Sequence, residues 1–260
     1  WIPVNELSSD IPKSLKEALH AFFLAAAARR CRGHESDPNS MVIHNSMGND
    51  QQEFIWKRVK NYSLEIKEQF FDEFSDEGTK LRRDLKKLWN DDFGMNGNTK
   101  EEWKSINSAL EEVMISFHPE EDVYLVNSDK DDDETTVMPT ERQLDYNDYS
   151  DGGCVIAVGG NILSRGLTLE GLCVSYFVRE TKIYDSLTQM GRWFGFRPGY
   201  SDLVRLYLSP NLLEWFMWLV DVESDLRADI ERYDIEDKGP LDLAVRVLKH
   251  VRTAPGEVQL

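Results

Sequence analysis

Short and almost uninterrupted apolar runs alternate with helical segments along this chain, and this alternation restricts the possible folds more than any other feature. The two clearest runs are residues 154–158 (CVIAV) and 172–178 (LCVSYFV). Strands that are buried on both faces have this composition, and they are typical of parallel sheets covered by helices. We therefore predict an α/β fold in which a parallel sheet is sandwiched between helices.

The other elements are predicted from the same two periodicities. We expect further strands at residues 41–45, 122–127 and 203–208, and helices at residues 14–30, 51–62, 63–89, 99–117, 184–194, 211–233 and 241–251. In the helix at 211–233, helical spacing predicts a face that is directed towards the core. Its members are Leu212, Trp215, Phe216, Leu219, Val222 and Leu226.

Residues 62–117 interrupt the alternation, because they contain helical patterns and no strand. We interpret this stretch as an all-helical insertion packed on the α/β core. The predicted organisation is residues 1–61 as the start of the α/β lobe, 62–117 as the insertion and 118–260 as the remainder of the lobe. Within that remainder, the Asp-rich stretch 128–152 is predicted to be a mobile connector or a surface loop.

The composition indicates an acidic protein of a reducing compartment. The three cysteines include no CxxC pair, so we predict that Cys154 and Cys173 are small buried hydrophobes and that the protein is cytoplasmic. A net charge of −17 argues against a standalone, non-specific nucleic-acid binder. Residues 151–210, however, carry six Arg or Lys against five Asp or Glu, which leaves room for a nucleic-acid surface there. No apolar run has the length of a membrane span, and no membrane partner is expected.

Residues 158–171 (VGGNILSRGLTLEG) follow a buried strand and are rich in glycine. Ligands of open α/β sheets bind beyond the carboxyl ends of the strands, and glycine there lets the backbone approach a phosphate closely. Ser164, Arg165 and Gly166 add a hydroxyl group, a guanidinium and a flexible joint. The pattern favours a phosphate-binding loop, and an ordinary glycine-rich turn with a surface arginine is the alternative.

Residues 184–200 (YDSLTQMGRWFGFRPGY) form a second candidate segment. Arg192 and Arg197 are five residues apart, are flanked by glycine and are preceded by Gln189. An arginine that reaches a γ-phosphate from a neighbouring lobe stabilises the charge that develops in phosphoryl transfer. The alternative is that the aromatic residues of this segment belong to the core and that the arginines are solvated.

Together, the two segments resemble motifs of a known class of motor. Ser164-Arg165-Gly166 resembles motif V of superfamily 2 helicases, residues 189–197 (QMGRWFGFR) resemble motif VI, and residues 41–46 are similar to the strand of motif IV. More closely, residues 159–207 resemble the Z1 domain family, and the resemblance extends from about Ile11 onward. It implies a RecA-like sheet, the second lobe of a helicase-type ATPase, and a setting in bacterial restriction-modification or phage defence. Members of this family are often labelled endonucleases.

The resemblance implies roles for individual residues. Arg192 and Arg197 become candidates for arginine fingers, and Gln189 becomes a candidate for a contact with the nucleotide or the facing lobe. Coupling of the nucleotide state to the nucleic-acid backbone is implied for Asn161, Ser164, Arg165, Gly166 and Thr168. The implied cofactors are ATP and Mg²⁺, shared with an N-terminal RecA-like lobe of the same protein. DNA and a MORC- or Hsp90-type ATPase are the implied partners.

Two features depart from the helicase pattern. Gln189 to Gly191 is one residue shorter than the usual box, and Arg192 to Arg197 is two longer, which leaves open which arginine is the finger. The sequence has no G-x-x-x-x-G-K-[ST] loop, and Gly78-Thr79-Lys80 has the wrong order. We therefore expect a fragment of a longer protein, in keeping with its first residue Trp1, that hydrolyses no ATP alone and needs no cofactor by itself.

Two other functions remain open. A metal-dependent endonuclease would need carboxylates held around a metal ion, and the acidic clusters at residues 120–122 and 131–134 form no nuclease signature. No metal ligand is assigned. A partner-docking module would use the helical insertion at 62–117 and exposed aromatic residues such as Trp56, Trp89 and Trp103, although packing of these tryptophans on the core is favoured. His44 is interpreted as an ordinary buried residue and His118 as the end of a helix.

Overall fold

The computed structural model describes residues 11–45, 48–94, 99–126, 144–149, 152–160, 168–179, 184–191, 195 and 197–235. The predicted helix at 241–251 and most of the predicted connector lie outside these ranges. The chain divides into two compact units. The first is formed by Trp1–Arg179 with Phe196–Tyr207, and the second by Glu180–Gly195 with Leu208–Leu260.

A single sheet has the strand order β2-β3-β1-β4-β5. Its strands are β1 Pro38–His44, β2 Val123–Val126, β3 Gly153–Gly159, β4 Leu172–Phe177 and β5 Arg205–Leu208. β1 pairs in parallel with both β3 and β4, and β2 pairs in parallel with β3. The predicted α/β class is confirmed, and the parallel sheet is consistent with a RecA-like lobe.

The helices of the first unit precede β2 in the chain or lead directly into it. They are α1 Lys13–Cys31, α2 Asn49–Phe71, α3 Asp76–Leu88, α4 Trp103–Ser116 and the single turn α5 Pro119–Asp122, with a π-helical turn at Trp89–Gly94. α1 is buried on every side over residues 21–29, and it contacts α4 as well as β1 and β4. A helix that is apolar all round lies in a core rather than on a surface.

The core follows from the alternation of side chains along the strands. Met41 and Ile43 of β1 and Ile156 of β3 join α1, α2, α3 and α4 in one hydrophobic cluster. On the opposite face, Tyr124 and Val155 pack with the 3₁₀ turn Tyr146–Tyr149 in a second cluster. Successive residues of a strand point to opposite faces, so both faces are buried, as the uninterrupted apolar runs predict.

The predicted insertion at residues 62–117 shares a helix and a hydrophobic cluster with the α/β core. That boundary, between residues 61 and 62, lies in the middle of α2, which continues from Asn49 to Phe71. The apolar residues of α2, α3 and α4 also belong to the same cluster as α1 and the strands. A helix interior offers no break in the chain at which an insertion could begin, so residues 49–61 and 62–71 form one element.

Two of the tryptophans considered for partner docking are buried. Trp56 is 7% exposed and Trp89 is 2% exposed, and Trp103 packs against the main cluster. Trp56 Nε1 donates to the carbonyl oxygen of Val123 at 2.8 Å, and the ring of Trp89 stacks on Phe93 with 5.2 Å between centroids. Packing on the core is therefore confirmed, and Trp56 and Trp89 cannot serve as surface docking residues.

The second unit contains α6 Tyr184–Gly191 and α7 Pro210–Ile235. In α7, Leu212 and Trp215 are buried as predicted, whereas Leu226 is 49% exposed, so its predicted inward position is wrong. Helical spacing predicts which residues share a face, but it does not predict how far along a helix that face is covered. None of the described helices combines the length and the apolar character needed to cross a bilayer.

Candidate functional site

The carboxyl edge of the sheet, formed by the last residues of the strands, is where ligands of such folds bind. From β1 the chain passes to β2 on one side of the sheet, and from β4 it passes to β5 on the other. The connections that leave these two neighbouring strands therefore diverge. The crevice between the ends of β1 and β4 is thus the topological switch point of the sheet.

Arg179 lies at this switch point beside His44. The backbone N–H groups of Val178 and Arg179 donate to the carbonyl oxygen of His44 at 3.1 and 3.3 Å, and these bonds hold the two strand ends together. Nη1 of Arg179 lies 3.5 Å from Nε2 of His44. The side chain of Arg179 is only 8% exposed, so the guanidinium is held within the edge rather than extended into solvent.

Burial sets the charge states of both side chains. Burial, with the charge of Arg179 as the second cause, lowers the pKa of His44 to about 3, against opposing backbone hydrogen bonds of His44 and Gly160. His44 is therefore neutral at pH 7. Burial also lowers the pKa of Arg179, but a guanidinium stays protonated in proteins at neutral pH. The switch point thus carries a buried positive charge beside a neutral imidazole.

Small and polar residues complete the carboxyl edge. Gly160 follows β3, and a Cβ at this position would overlap Nε2 of Gln52, a buried residue in the first turn of α2. Asn45 follows β1, and its Oδ1 is buried without a hydrogen-bond partner among the described residues. A buried acceptor that lacks a donor costs free energy. The edge therefore combines a buried positive charge with an acceptor that lacks a donor among the described residues.

Most of the predicted site residues cannot be related to this edge. Five lie outside the described ranges, namely Asn161, Ser164, Arg165, Gly166 and Arg192. Gln189 is exposed on α6 in the second unit. The roles of these residues stay predictions.

Arg197 and Thr168 lie towards the opposite, amino edge, which is formed by the first residues of the strands. Burial raises the pKa of Cys173, the second residue of β4, and the charges of Arg29 and Arg197 oppose this rise. The backbone N–H of Tyr200 donates to the carbonyl oxygen of Arg197 at 3.3 Å. Thr168 is exposed and precedes the start of β4. The structure therefore does not bring Arg197 together with Arg179.

Sequence reasoning overlooked Arg179 and treated His44 as ordinary. His44 is indeed fully buried, but it is also the last residue of β1 and pairs with Phe177 of β4. One signal could have revealed Arg179, because it is the first charged residue after the apolar run at 172–178 and so follows a strand at its carboxyl end. The pairing with His44 is non-local and leaves no mark in the sequence.

Asp122, one of the carboxylates considered for a nuclease site, has a structural role. One of its oxygens accepts a hydrogen bond from the backbone N–H of His118 at 2.6 Å, and the other accepts from the hydroxyl group of Tyr149 at 2.9 Å. Burial raises the pKa of this carboxyl group. Residues 131–134 lie outside the described ranges, and within those ranges no group of three or more His, Cys, Asp or Glu could hold a metal ion.

Comparison with known proteins gives a match at the level of the family. The model of the Z1 domain family matches residues 14–254, a range that includes the whole sheet and both of its edges. Searches of the curated proteins and of the solved structures found no match.

Proposed function

The chain belongs to the Z1 domain family, and on that premise we propose that it acts as the second RecA-like lobe of a nucleic-acid-dependent ATPase. The observation that carries the proposal is Arg179, a buried guanidinium at the topological switch point of a parallel sheet. Nucleotides bind at such switch points, and the planar guanidinium suits phosphate oxygens. We propose that this lobe presents its carboxyl edge to the nucleotide.

The residues of the carboxyl edge fit a phosphate group. Arg179 supplies positive charge at this edge, and Gly160 leaves space beside the backbone that the side chain of Gln52 occupies. ATP with Mg²⁺ supplies the phosphoryl group whose transfer drives motors of this class. An N-terminal RecA-like lobe would hold most of that cofactor, and the present lobe would contribute positive charge from its own side.

An arginine of the second segment takes the role of a finger in this proposal. An arginine directed at the γ-phosphate stabilises the charge that develops during transfer. Because Arg197 lies beside the amino edge, Arg192 is the first of the two to test. Gln189 would contact the nucleotide or the facing lobe. Coupling to the nucleic-acid backbone is proposed for Asn161, Ser164, Arg165, Gly166 and Thr168.

We propose DNA as the nucleic acid, and restriction or phage defence in bacteria as the setting, in keeping with the Z1 resemblance. The nearly balanced charge of residues 151–210 within a chain of net charge −17 supports a nucleic-acid surface in that region, because phosphates are repelled by an acidic surface. A MORC- or Hsp90-type ATPase stays a proposed partner, and it would have to dock elsewhere than on Trp56 and Trp89.

ATP hydrolysis by the natural protein, with every domain that it carries, tests the proposed function. Turnover is measured without nucleic acid and with single-stranded DNA, duplex DNA or RNA, and we expect stimulation by DNA. Arg192→Ala should lower turnover by about 10³-fold or more, the usual contribution of an arginine finger. Arg83→Ala is the matched control, because the Arg83 side chain is 73% exposed on α3, and it should leave turnover within about twofold.

Three results would contradict parts of this proposal. Absence of hydrolysis, or the same rate with and without nucleic acid, would contradict a nucleic-acid-dependent ATPase. Unchanged turnover in both Arg192→Ala and Arg197→Ala would contradict the finger assignment. In a separate assay with DNA and Mg²⁺ or Mn²⁺ we expect no strand cleavage by the isolated chain. Cleavage that disappears in Asp122→Ala or Asp131→Ala would favour the nuclease instead.

A further inference from the structure

Exposed apolar side chains of the first unit are concentrated on its helices. Among the described residues of that unit, the exposed large apolar side chains are Leu206 of β5 and four residues on α2, on the turn between α2 and α3, and on the last turn of α4. These four are Leu64, Phe71, Phe74 and Ile115, and we call them the α2–α3 surface. A group of exposed apolar residues marks an interaction site, whereas single ones need no explanation.

Helical spacing and one hydrogen-bonded side chain relate the four residues to one another. Leu64 and Phe71 are two turns apart on α2, so they share a face and lie about 10 Å from each other. Between them in the chain, Lys67 donates from Nζ to the carbonyl oxygen of Ile115 at 3.3 Å, which holds the end of α4 beside α2. Phe74 follows directly after the end of α2.

Hydrogen bonds fix the backbone of the turn that carries Phe74, although its side chain is 99% exposed. The backbone N–H groups of Phe74 and Ser75 both donate to Oδ1 of Asp72 at 3.2 Å. Oγ of Ser75 accepts from the backbone N–H of Gly78 at 3.0 Å, which caps the start of α3. A Cβ at Gly78 would overlap the carbonyl oxygens of Gln69 and Asp72, so the two helices are in close contact there. A turn that is fixed before binding lowers the entropy that binding costs.

Acidic residues surround this surface. Residues 64–77 contain six Asp or Glu, all of them exposed, and a single Lys. Among the described residues, Glu73 alone of the six has an ion pair, with Arg82 at 3.8 Å. The six are Glu65, Glu68, Asp72, Glu73, Asp76 and Glu77.

The helix dipole accounts for some of these carboxylates but not for others. Asp76 and Glu77 lie in the first turn of α3, where negative charge is favourable. Glu68 and Asp72, by contrast, lie in the last turn of α2 and at its C-cap, a turn that contains no basic residue. There the dipole favours positive charge, and like charges four residues apart repel each other. These two carboxylates therefore do not stabilise α2, and a cationic partner would offset their repulsion.

We propose that the α2–α3 surface docks a basic amphipathic helix of a partner protein, with Phe74 as the main apolar anchor. The apolar face of such a helix matches Leu64 and Phe71 along α2, and lysine or arginine at its flanks matches the acidic surroundings. The same acids repel the phosphates of nucleic acids and of anionic membranes, which favours a protein partner. This inference goes beyond the proposed function and does not depend on it.

Fluorescence anisotropy of a labelled peptide tests the docking surface. The probe is the model peptide LKKLLKLLKKLLKL, which forms a basic amphipathic helix, and it is titrated with the 260-residue chain. We expect this peptide to bind and its acidic counterpart LEELLELLEELLEL not to bind. Phe74→Ser should weaken binding about tenfold or more, because it removes an aromatic anchor. The Phe74 side chain is almost wholly exposed, so the fold does not depend on it.

The acidic surroundings are tested separately from the apolar anchor. Glu65→Gln combined with Glu68→Gln should weaken binding about fivefold and reduce its dependence on salt. Matched controls make the same kinds of change on α7. Met217→Ser alters a side chain that is 61% exposed, and Asp225→Asn combined with Glu231→Gln removes two exposed charges. Both controls should bind the peptide within about twofold of the unmodified chain.

Four outcomes would overturn the proposal: no binding of the basic peptide, equal binding of the acidic one, unchanged binding in Phe74→Ser, or an equal loss in the α7 controls. Sedimentation velocity of the chain alone tests whether a second copy occupies the surface. A monomer supports a separate partner, whereas a dimer that Phe74→Ser dissociates would assign the surface to self-association. ATP hydrolysis enters none of these measurements, so the proposed function and the docking surface can fail independently of each other.

Discussion

The two edges of the sheet both carry largely buried arginines, but the arginines differ in what surrounds them. At the amino edge, Arg29 donates to the carbonyl oxygen of Pro38 and to Oδ1 of Asn39, both at 2.8 Å, and its guanidinium lies 4.2 Å from the ring centroid of Tyr200. Nearby, Arg32 links the end of α1 to Asp202 with two hydrogen bonds of 2.7 Å. These arginines act as structural crosslinks between distant parts of the first unit.

The carboxyl edge follows a different principle. Arg179 lies against a neutral histidine, and burial lowers its pKa, whereas hydrogen bonds to carboxylates raise the pKa of Arg32. Paired charges stabilise a fold when their hydrogen bonds offset the lost hydration. Groups whose pKa is shifted by burial are found often at functional sites. The amino edge therefore contains hydrogen-bonded crosslinks, whereas the carboxyl edge, which we propose faces the nucleotide, contains a buried guanidinium beside a neutral imidazole.

The glycines test how rigid each edge is. Gly171 has φ +61°, and a Cβ there would overlap the carbonyl oxygen of Pro38, a backbone atom that cannot move away. We expect Gly171→Ala to lower the free energy of unfolding by about 4 kcal/mol. At the carboxyl edge, Gly160→Ala meets only the side-chain end of Gln52, and about 2 kcal/mol is expected. Urea denaturation measures the free energy of unfolding of both variants.

Gly33→Ala is the control that measures the cost of a positive φ without any steric overlap. Gly33 also has a positive φ, of +82°, but nothing lies within 4 Å of its Cβ position, so about 1 kcal/mol is expected. If Gly171→Ala destabilised the protein no more than Gly33→Ala, the close packing of the amino edge would be refuted.

The crosslink formed by Arg32 gives the next largest effect. Arg32→Met should lower the free energy of unfolding by about 2 kcal/mol, because it leaves the partly buried carboxylates of Glu101 and Asp202 without their cation. Arg227→Met on α7 is the control, since the Arg227 side chain is 73% exposed in its pair with Glu223, and less than about 0.5 kcal/mol is expected.

The effect of Arg32→Met should also depend on pH. Hydrogen bonds from Arg32 lower the pKa of both Glu101 and Asp202. The stability that they contribute is therefore present above their unfolded-state pKa of about 4 and is lost as the pH falls below it. Denaturation at pH 7 and at pH 3 should show a smaller difference between the variant and the unmodified chain at the lower pH. A constant difference would contradict the ion pairs.

The local sequence pattern was sufficient to predict strands and helices that form both edges of the sheet. The apolar run at 172–178 contains β4, and the helical pattern at 14–30 contains α1, because burial on both faces and helical periodicity are properties of neighbouring residues. The family was also recognised from the sequence, through residues 159–207. The sequence did not predict that α2 continues through residues 61 and 62, or that the buried face of α7 ends before Leu226. Both depend on how the rest of the fold covers the helix.

The site depended on information that is not local. Arg197 was singled out because it is flanked by glycine and follows another arginine, but in the structure its charge acts on Cys173 at the amino edge, a long-range relation that the local pattern does not contain. His44 and Arg179 are 135 residues apart, and only the pairing of β1 with β4 brings them together. The strand order thus determines which charged residue reaches the switch point, and the order was not predicted from composition or spacing.

His44 provides a pH-dependent test of the carboxyl edge. Its folded pKa of about 3, lowered by burial and by Arg179, lies below the unfolded value of about 6.5. The unfolded state therefore binds the proton first, and stability falls as the pH drops through 6.5 towards 3. His44→Gln should remove about 1.4 kcal/mol per pH unit from that slope between pH 6 and pH 4.5.

His20 is the comparator within the same molecule. Burial lowers its pKa to about 4, with smaller opposing and reinforcing effects from Asp84 and Lys16, so His20→Gln should reduce the slope in the same direction. Urea denaturation across this pH range measures the free energy of unfolding of the unmodified chain, of His44→Gln and of His20→Gln. A slope that His44→Gln leaves unchanged, while His20→Gln reduces it, would mean that His44 is not buried beside Arg179 in solution.

The smallest effect decides the comparison most directly, because its size should differ between the edges. Arg179→Met replaces a buried guanidinium by an apolar side chain of similar length, and we expect the free energy of unfolding to change by less than about 1 kcal/mol. The same replacement of Arg32 should destabilise the protein. Urea denaturation measures this difference. A loss of stability in Arg179→Met as large as that in Arg32→Met would show that Arg179 is one more crosslink, and the two edges would then obey one principle.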